Sequence, residues 1–481
     1  MNKKLNKGFK QKKRLALIRL TLLILLSAYL LFNGQFLMLI GLLLLLFLVN
    51  ELFLADHNFY DPSDDYLYEF DASHRLKPNW LAGETAFQCL DCDQACNSAI
   101  LAINVRHRWL GKFLDPFVII RSGSIERRQY FERAVNGLRY LNISEFIHTS
   151  EALSFETKYC GLSIKSAEVL LFSNPSLEKK KLLLIAPHAD DAEIAAFGLY
   201  STHDSAIVTV TAGELEADEY ESAVTNAEQA SLLKGRLRSW DSVAVPQWAG
   251  LKSTDTIQLG YFCMQLKAMH NAPDEPLASK TAAVKDTRVF REFNTLALDS
   301  DKHGRPSWNT LIADLVECIE RTKPDCIVIP HLELDPHQDH YYSTLAVKQA
   351  LLQAVHKPTA VYLYANHLIY SDMFPFGRAH SLASLPPNME KSLSAGSLVS
   401  MPLTLDQQRN KAMALAMMHD LQTPLRWKKK LRFQLQAWLI GRPLSAYGDD
   451  EYFRKAVRSN EVFFSYSIEQ FLAADVDAIQ S

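Results

Sequence analysis

Histidine and aspartate residues stand together in two short stretches of this sequence. The first is "PHADDAE", which contains His188, Asp190 and Asp191, and the second is "DPHQDH", which contains His337, Asp339 and His340. A carboxylate near a buried strand is costly to remove from water unless a cation or a hydrogen-bond donor pairs with it. Histidine and carboxylate ligands with one open coordination position are typical of a catalytic zinc site. The two stretches therefore predict such a site.

The elements that must position these residues alternate between strands and helices from Leu182 onward. Apolar strand-like runs occupy 182–187, 206–213, 324–330 and 359–365, with helical patterns between them. Such alternation predicts an α/β fold, and we expect a Rossmann-like, mostly parallel sheet with flanking helices over residues 179–475. Ligands of these sheets bind beyond the carboxyl ends of the strands. Because both stretches follow strands, we expect them on the same edge of the sheet.

The two stretches resemble the motifs of the zinc-dependent de-N-acetylases typified by PIG-L, the N-acetylglucosaminyl-phosphatidylinositol deacetylase, and by the bacterial LmbE-like proteins. The family's HPDD motif stands here as "HADDAEIAAFG", and its HxDH motif as "HQDH". Between them, "TVTAGE" matches a strand that ends in T-x-GE, and "RSWDSVAVPQWAG" partly matches an R-x-x-E helix. After them, "KAMALAMMHDLQ" matches a K-x-x-A…H-x-x-Q helix, so the ordered resemblance covers residues 182–425.

The resemblance implies zinc ligands, catalytic groups and sugar-binding residues. By position, the zinc ligands are His188, Asp191 and His340, and the general base is Asp190. His337 would steady or protonate the tetrahedral intermediate, and Asp339 would orient a ligand or catalytic histidine. Glu214 and Arg238 stand where the family contacts the sugar. Zinc lowers the pKa of bound water and polarises an amide carbonyl. A neighbouring carboxylate can take the proton of that water, and a histidine can donate to the leaving amine.

The sequence departs from the family pattern at three places. Ala189 replaces a proline, which should change the stiffness of the loop more than its chemistry. Asp241 replaces the glutamate of the R-x-x-E helix, which leaves the pairing of Arg238, or of its neighbour Arg236, open. Residues 252–306 form a long polar insertion. It could be a lid over a large glycan or a surface excursion, and we favour the lid.

The N-terminal 55 residues have the composition of a membrane anchor. Residues 1–14 carry seven Lys or Arg and no acid, and two apolar runs, 15–32 and 36–54, flank Asn33-Gly34. We expect a transmembrane hairpin, which by the positive-inside rule places the catalytic domain in the cytoplasm, at a bacterial-type inner membrane. The acidic exit of the second run argues against this orientation. The alternative is one overlong, kinked span with the enzyme outside.

Residues 56–178 are expected to form a small β-rich accessory domain. Two alternating runs flank Asn136-Gly137, which predicts a hairpin there. The domain could grip a glycan, but a structural spacer is the interpretation that we favour. Cys89, Cys92 and Cys96 lack an evident fourth zinc ligand, and incidental thiols fit them better. The seven cysteines of the chain, an odd number, mildly favour a reducing compartment.

One further stretch bears on the substrate. Residues 425–441 read as an amphipathic helix with Trp427 and Trp438 on its apolar stripe and a cluster of lysines beside it. Such a helix either lies in an anionic membrane interface or packs as an ordinary helix with a solvated basic face. The net charge of −3 argues against a general nucleic-acid binder.

The expected function is therefore a membrane-anchored, zinc-dependent hydrolase that removes the N-acetyl group of an amino sugar on a lipid-linked glycan or polysaccharide precursor. Its partners would be the lipid membrane and this glycan. Two alternatives stay open. One is another metal-dependent hydrolase, such as a phosphoesterase, although these usually need additional bridging carboxylates. The other is an inactive, glycan-binding membrane protein.

Overall fold

The computed structural model describes residues 17–18, 21–54, 60–81, 85–88, 95–368, 371, 373–422, 427–442 and 451–474. Near the N-terminus, two apolar helices flank a turn at Asn33-Gly34: α1, Thr21–Phe32, and α2, Phe36–Val49. A π-helical turn continues α2. Of the described helices, one, Phe36–Phe53, is long and apolar enough to cross a membrane. Of the two helices in the predicted hairpin, only the second is therefore a candidate membrane span by length, because α1 is shorter.

The next part of the chain is β-structure. Its strands are β1 Tyr68–Phe70, β2 His74–Leu76, β3 Ala86–Phe87, β4 Ser98–His107, β5 Phe117–Ser122, β6 Ile125–Tyr130, β7 Asn136–Asn142, β8 Leu153–Lys158 and β9 Cys160–Phe172. Strands β2 to β9 form two four-stranded antiparallel sheets, in the orders β2-β9-β4-β7 and β3-β8-β5-β6. Apolar side chains from both sheets form one core between them. Cys89 and Cys92 lie outside the described residues, and Cys96 is buried.

The predicted hairpin at Asn136-Gly137 is wrong. Both residues already belong to β7, which pairs with β4, whereas β6 belongs to the other sheet. Position 137 needs a glycine because the Asp65 side chain lies close to the backbone there. A Cβ on Gly137 would lie 2.7 Å from Asp65 Oδ1. The same carboxylate oxygen accepts a hydrogen bond from the Leu138 amide at 2.6 Å.

The rest of the chain builds a mixed α/β domain around an eight-stranded sheet. Its later strands are β10 Lys181–Ala186, β11 Asp204–Thr211, β12 Thr256–Tyr261, β13 Cys326–Pro330, β14 Ala360–Tyr364, β15 Leu393–Pro402 and β16 Asn460–Ser467. The strand order is β1-β15-β16-β14-β13-β10-β11-β12. The two pairs that involve β16 are antiparallel, and the others are parallel. Edge strand β12 comes from the 252–306 insertion, so that segment is part of the sheet as well as of the surface.

Helices cover both faces of this sheet. They are α3 Asp191–Tyr200, α4 Ala227–Ala244, α5 Leu266–Asn271, α6 Trp308–Thr322, α7 Gln338–Gln353, α8 Leu405–Met417, α9 Trp427–Ile440, α10 Glu451–Ala456 and α11 Ile468–Ala473. Alternate side chains of β10 enter two separate cores: Leu183 and Ile185 enter one, and Leu182 and Leu184 the other. Each buried leucine or isoleucine stabilises the fold by roughly 1.5–3 kcal/mol. Burial on both faces explains the uninterrupted apolar runs of these strands.

Candidate metal and catalytic site

The candidate site lies at one edge of the large sheet, where neighbouring parallel strands end. His188 follows β10, and a loop from β13 leads to His337, which caps the N-terminus of α7. Strands β10 and β13 are hydrogen-bonded neighbours and run parallel. Their carboxyl ends therefore meet, and the two sequence stretches, about 150 residues apart, come together there.

Asp191 is the centre of this cluster. Its Oδ2 accepts a hydrogen bond from the His188 amide at 3.0 Å and lies 3.2 Å from His188 Nδ1. The same oxygen lies 3.0 Å from His340 Nε2. All three side chains are buried. The structure thus brings together the three residues that the family resemblance assigns to zinc.

Two further carboxylates orient the histidines. Asp335 Oδ2 lies 2.9 Å from His340 Nδ1, and Asp339 Oδ2 lies 3.3 Å from His188 Nε2. Carboxylates in this position fix the orientation of a ligating imidazole and raise its basicity. Burial disfavours a charge on His340, but Asp191 and Asp335 outweigh that effect and raise its pKa to about 9. The pocket therefore favours positive charge between its carboxylates.

His337 is held in the neutral state. Its Nδ1 accepts a hydrogen bond from the Asp339 amide at 3.2 Å, as the cap of α7. Burial, assisted by the neighbouring His188 and His340, lowers its pKa to about 4. With Nδ1 acting as an acceptor, the ring proton belongs on Nε2. A neutral imidazole with a free N–H is suited to stabilising developing negative charge on a substrate oxygen.

Asp190 adopts a strained backbone conformation directly before α3, with φ of 121°. Non-glycine residues rarely adopt positive φ, and such strain is concentrated at functional sites. Burial raises the pKa of Asp190 to about 6, against the opposing effect of Arg238. The Arg238 Nη2 lies 3.4 Å from Asp190 Oδ1 and donates to the Ala189 carbonyl at 2.8 Å. At neutral pH, Asp190 is therefore an ionised carboxylate that can accept a proton.

The pairing of Arg238, which the sequence left open, is settled by the structure. Its Nη1 contacts Asp420, which follows α8 in a short 3-10 helix, His419–Gln422. Asp241 does not pair with it: one Asp241 oxygen accepts from the His419 amide at 2.9 Å, and the other lies 2.7 Å from His419 Nδ1. Arg236 pairs with Glu292 on the surface. The aspartate that replaces the family's glutamate thus anchors the loop that carries Asp420.

Glu214 is buried beside the site rather than open to solvent. Its Oε2 accepts from the Cys263 amide at 3.1 Å, and its Oε1 accepts from Ser279 Oγ at 2.7 Å. Cys263 follows edge strand β12, and its Sγ lies 3.8 Å from His188 Nε2. Both oxygens of Glu214 are therefore engaged by protein groups in this structure, and Glu214 supports the wall that Cys263 forms.

The sequence analysis missed four residues of the site: Asp335, Cys263, Asn366 and His367. Asn366 Nδ2 donates to Asp191 Oδ1 at 2.9 Å, and the His367 ring stacks on His337 with 5.0 Å between centroids. Asn366 and His367 follow β14, whose carboxyl end lies at the same edge of the sheet, so the rule on strand ends could have identified them. Asp335 stands within the quoted "DPHQDH" stretch. Cys263 gave no signal in the sequence.

The donor set fits a divalent cation. Ligand atoms of His188, His337 and His340 lie within 4.8 Å of one another, as do those of Asp191, His340 and His367. Asp339 Oδ1 is buried without a hydrogen-bond partner in the part of the chain that the structure describes. Buried polar atoms are nearly always satisfied, so an unpaired carboxylate oxygen beside histidines indicates a missing positive partner. Mixed nitrogen and oxygen donors of this kind suit zinc and other transition metals.

The comparison with protein families agrees with the resemblance found in the sequence. Residues 183–351 match the family model PIG-L, GlcNAc-PI de-N-acetylase, which confirms the predicted relationship for this part of the chain. No curated protein matches the chain.

Among solved structures, the 4-carboxy-2-hydroxymuconate hydratase GalB of Pseudomonas putida KT2440 is 13% identical, covers 60% of this chain and 95% of its own, and has a TM-score of 0.30. A mutant xylanase 10C from Cellvibrio japonicus, in complex with xylopentaose, is 9% identical, covers 81% of this chain and 91% of its own, and has a TM-score of 0.16. Similarities at this level carry no argument about fold or function.

Proposed function

We propose that the chain is a membrane-anchored, zinc-dependent hydrolase that removes the N-acetyl group from an amino sugar on a lipid-linked glycan or a polysaccharide precursor. The observation that carries the proposal is the convergence of His188, Asp191 and His340 on one buried point, within residues that match the GlcNAc-PI de-N-acetylase family. The family match supports a metal-dependent de-N-acetylase. Zinc, the membrane and the lipid carrier are our extension of it.

The residues around that point would divide the work of amide hydrolysis. His188, Asp191 and His340 would hold the zinc ion, which when bound acidifies water and polarises the acetyl carbonyl. Asp190, ionised at neutral pH, would take the proton of the attacking water and pass it towards the leaving amine. Neutral His337 would donate its Nε2 proton in a hydrogen bond to the oxygen of the tetrahedral intermediate.

Arg238 would keep Asp190 in place. Its guanidinium is buried between Asp190 and Asp420 and donates to the backbone of the strained loop. A fixed positive charge beside the base favours the carboxylate form, and the two-sided clamp limits the rotation of the Asp190 side chain. We therefore assign Arg238 a positioning role in addition to the sugar contact that the resemblance implies.

The proposal of a lipid-linked substrate rests on the N-terminal segment of the chain. Helix Phe36–Phe53 has the length and the apolar composition of a membrane span, and little of it is buried inside the protein. A protein held at a bilayer by such a span meets substrates that are embedded in the same bilayer. The basic residues 1–14 favour the cytoplasmic side for the N-terminus. Two crossings, by α1 and α2 as a hairpin, would return the chain to that side, and on this basis we infer the inner membrane and a cytoplasmic catalytic domain. A single crossing by Phe36–Phe53 would place the catalytic domain on the opposite side.

The proposal is tested by acetate release from the purified full-length chain in lipid nanodiscs. The chain would be loaded with zinc and given a lipid-linked N-acetylglucosamine and, separately, a water-soluble N-acetylglucosamine glycoside. Asp190→Asn is the matched control, because asparagine tolerates positive φ and keeps the shape of the side chain. We expect it to retain zinc and to lose about 10²–10⁴-fold in rate.

Each outcome has a distinct meaning. Acetate from the wild type, with bound zinc in both proteins, supports the deacetylase. Bound zinc without acetate from either substrate contradicts the N-acetyl substrate and favours another metal-dependent hydrolase, for which phosphate esters would be the next substrates. A wild-type chain that binds no divalent metal contradicts the proposal altogether.

A further inference from the structure

Large apolar side chains are exposed around the end of helix Phe36–Phe53. They come from two segments that are far apart in the sequence, a short 3-10 helix at Trp109–Lys112 and helix α9. Together they form what we call the aromatic collar, which consists of Trp109, Leu110, Phe113, Trp427, Trp438 and Leu439. Its three tryptophans are 73%, 70% and 77% exposed. Exposure of so much aromatic surface marks an interaction site.

The collar is in direct contact with the candidate span. The rings of Phe53 and Phe113 pack edge to face with 5.7 Å between centroids, and Trp109 packs on Phe113 at 5.8 Å. On the other side, Arg432 of α9 forms an ion pair with Glu51 at 2.7 Å. An aromatic contact therefore joins the span to the collar on one side, and an ion pair joins the span to α9 on the other.

Partly buried ion pairs link the two segments of the collar to the rest of the molecule. Asp115, which follows the Trp109 segment, pairs with Arg133 at 2.9 Å and with Arg442, at the end of α9, at 2.8 Å. Arg133 also donates to the Leu52 carbonyl at 3.3 Å. One network thus joins the span, the β-rich region and α9. The exposed tryptophans lie on a 3-10 helix and on α9, which this network joins.

The chemistry of the collar selects a membrane surface as its partner. Tryptophan is enriched at the boundary between acyl chains and headgroups, which is where the end of a span lies. Lys428 and Lys430 are exposed on the same helix, next to Trp427. An amphipathic helix with tryptophan and lysine in this arrangement binds anionic lipid interfaces. A protein partner would not require the collar to lie beside the end of an apolar span.

We propose that the aromatic collar lies in the headgroup region of an anionic membrane and holds the edge of the candidate site at the membrane surface. The connection to the site is short: the 3-10 helix that carries Asp420, the partner of Arg238, ends at Gln422, and α9 begins at Trp427. Arg378 links the chain beyond His367 to the end of α9, donating to the Gly441 carbonyl at 2.8 Å. The consequence for the substrate, an acetyl group presented close to the headgroups, rests on the proposed function. The membrane contact of the collar does not.

The test is tryptophan fluorescence of the full-length chain in nanodiscs that contain phosphatidylglycerol and lipids brominated near the headgroup end of the acyl chain. A triple variant, Trp109→Phe, Trp427→Phe and Trp438→Phe, is compared with a double variant, Trp240→Phe and Trp248→Phe. The control pair is also exposed, at 49% and 51%, but lies on α4 and the turn that follows it. We expect bromine to quench the wild type and the double variant, and quenching to be lost in the triple variant.

Quenching that survives unchanged in the triple variant, or that is lost equally in the double variant, overturns the proposal. If the wild type showed no quenching and its oligomeric state depended on the collar residues, the collar would instead be an interface with a second copy of the chain, which would also overturn the proposal.

A second measurement separates this proposal from the deacetylase. Replacing the three tryptophans by glutamate should slow acetate release from the lipid-linked substrate and leave the soluble glycoside unaffected. Failure with both substrates in the wild type would refute the proposed function and leave the quenching result standing.

Discussion

The two ends of helix α3 show two different ways of burying charge. Near its C-terminal end, Glu461 accepts hydrogen bonds from the Gly198 and Leu199 amides at 2.9 and 3.0 Å and pairs with Lys411 at 2.8 Å. At its N-terminal end, Asp191 shares one oxygen between two histidines, and Asp339, which contacts His188, has one oxygen without a hydrogen-bond partner among the described residues. The first cluster is balanced within the protein, and the second is not.

This difference separates a structural ion pair from a functional site. Lys411 belongs to a motif that resembles the de-N-acetylase family, yet its ammonium group is buried in a closed pair and contacts no residue named for the reaction. Buried charges that are fully paired hold elements together, whereas charges that lack a partner indicate a ligand. The contrast yields variants that should change metal binding at one end of the helix and stability at the other.

The largest effect is expected from His340→Ala. Loss of this imidazole removes one ligand and leaves Asp191 and Asp335 without their common partner, so the purified chain should contain almost no zinc and should release no acetate above background. Metal content by elemental analysis and the midpoint of thermal unfolding are measured together. A variant that keeps both its zinc and its rate would show that His340 is not a ligand.

Lys411→Met should act on stability instead. It leaves a buried carboxylate without its cation, which typically costs about 3–5 kcal/mol. The folded fraction should keep normal zinc content and a normal rate per bound zinc. Thermal and chemical unfolding of the full-length chain in detergent would measure the loss.

Two variants serve as controls for Lys411. Combining it with Glu461→Gln removes both charges and should recover part of the lost stability. Arg409→Met breaks an exposed pair with Asp406 and should cost about 0–1 kcal/mol. If Lys411→Met lowered the rate per bound zinc as strongly as a site variant does, the division between the two ends of the helix would be wrong.

Asp335→Asn gives a smaller effect at the site. The carboxylate orients His340 through Nδ1 and does not itself bind the metal in our assignment, so zinc affinity should fall by about 10–100-fold. Competition with a chelator measures the affinity, and saturating zinc should restore most of the rate. A complete loss of metal that excess zinc cannot restore would place Asp335 among the ligands.

The predictable part of the site follows from strand ends. Two apolar runs, each followed by histidine and aspartate, and a strand–helix alternation are sufficient to place both stretches on one edge of a parallel sheet. The structure has His188 and His340 within 3.2 Å of the same Asp191 oxygen. The family resemblance added the distinction between ligand and base, which spacing alone could not supply.

The remaining contacts depend on long-range packing that a pattern does not encode. Arg238 and Asp420 are paired across 182 positions in the chain. Cys263 reaches His188 because β12, which lies in a polar insertion, adds to the sheet as an edge strand. Gly137 was taken as a turn residue because Asn-Gly is a strong hairpin signal, yet it serves a close approach to Asp65. Local propensity gave the wrong answer where tertiary contacts decided.

The smallest predicted effect concerns pH. Burial raises the pKa of Asp190 to about 6, and a cation bound beside it would lower that value, so the rate should fall with acidification only at or below about pH 6. As the pH falls through its pKa, Asp190 becomes protonated and can no longer accept the proton of the attacking water. Arg238 opposes the rise, and Arg238→Gln should therefore move the acidic limb of kcat/KM to higher pH.

The measurement is a pH profile of acetate release from the soluble glycoside for the wild type and for Arg238→Gln, with Arg236→Gln as the matched control. Arg236 pairs with Glu292 at the surface, so its loss should leave the limb where it is. Arg238→Lys keeps the charge without the planar fork and should fall between the two. A limb that moves to lower pH in Arg238→Gln, or that does not move, would mean that another group titrates there. Asp190 would then have a structural role, like the buried carboxylate of Glu461 at the other end of helix α3.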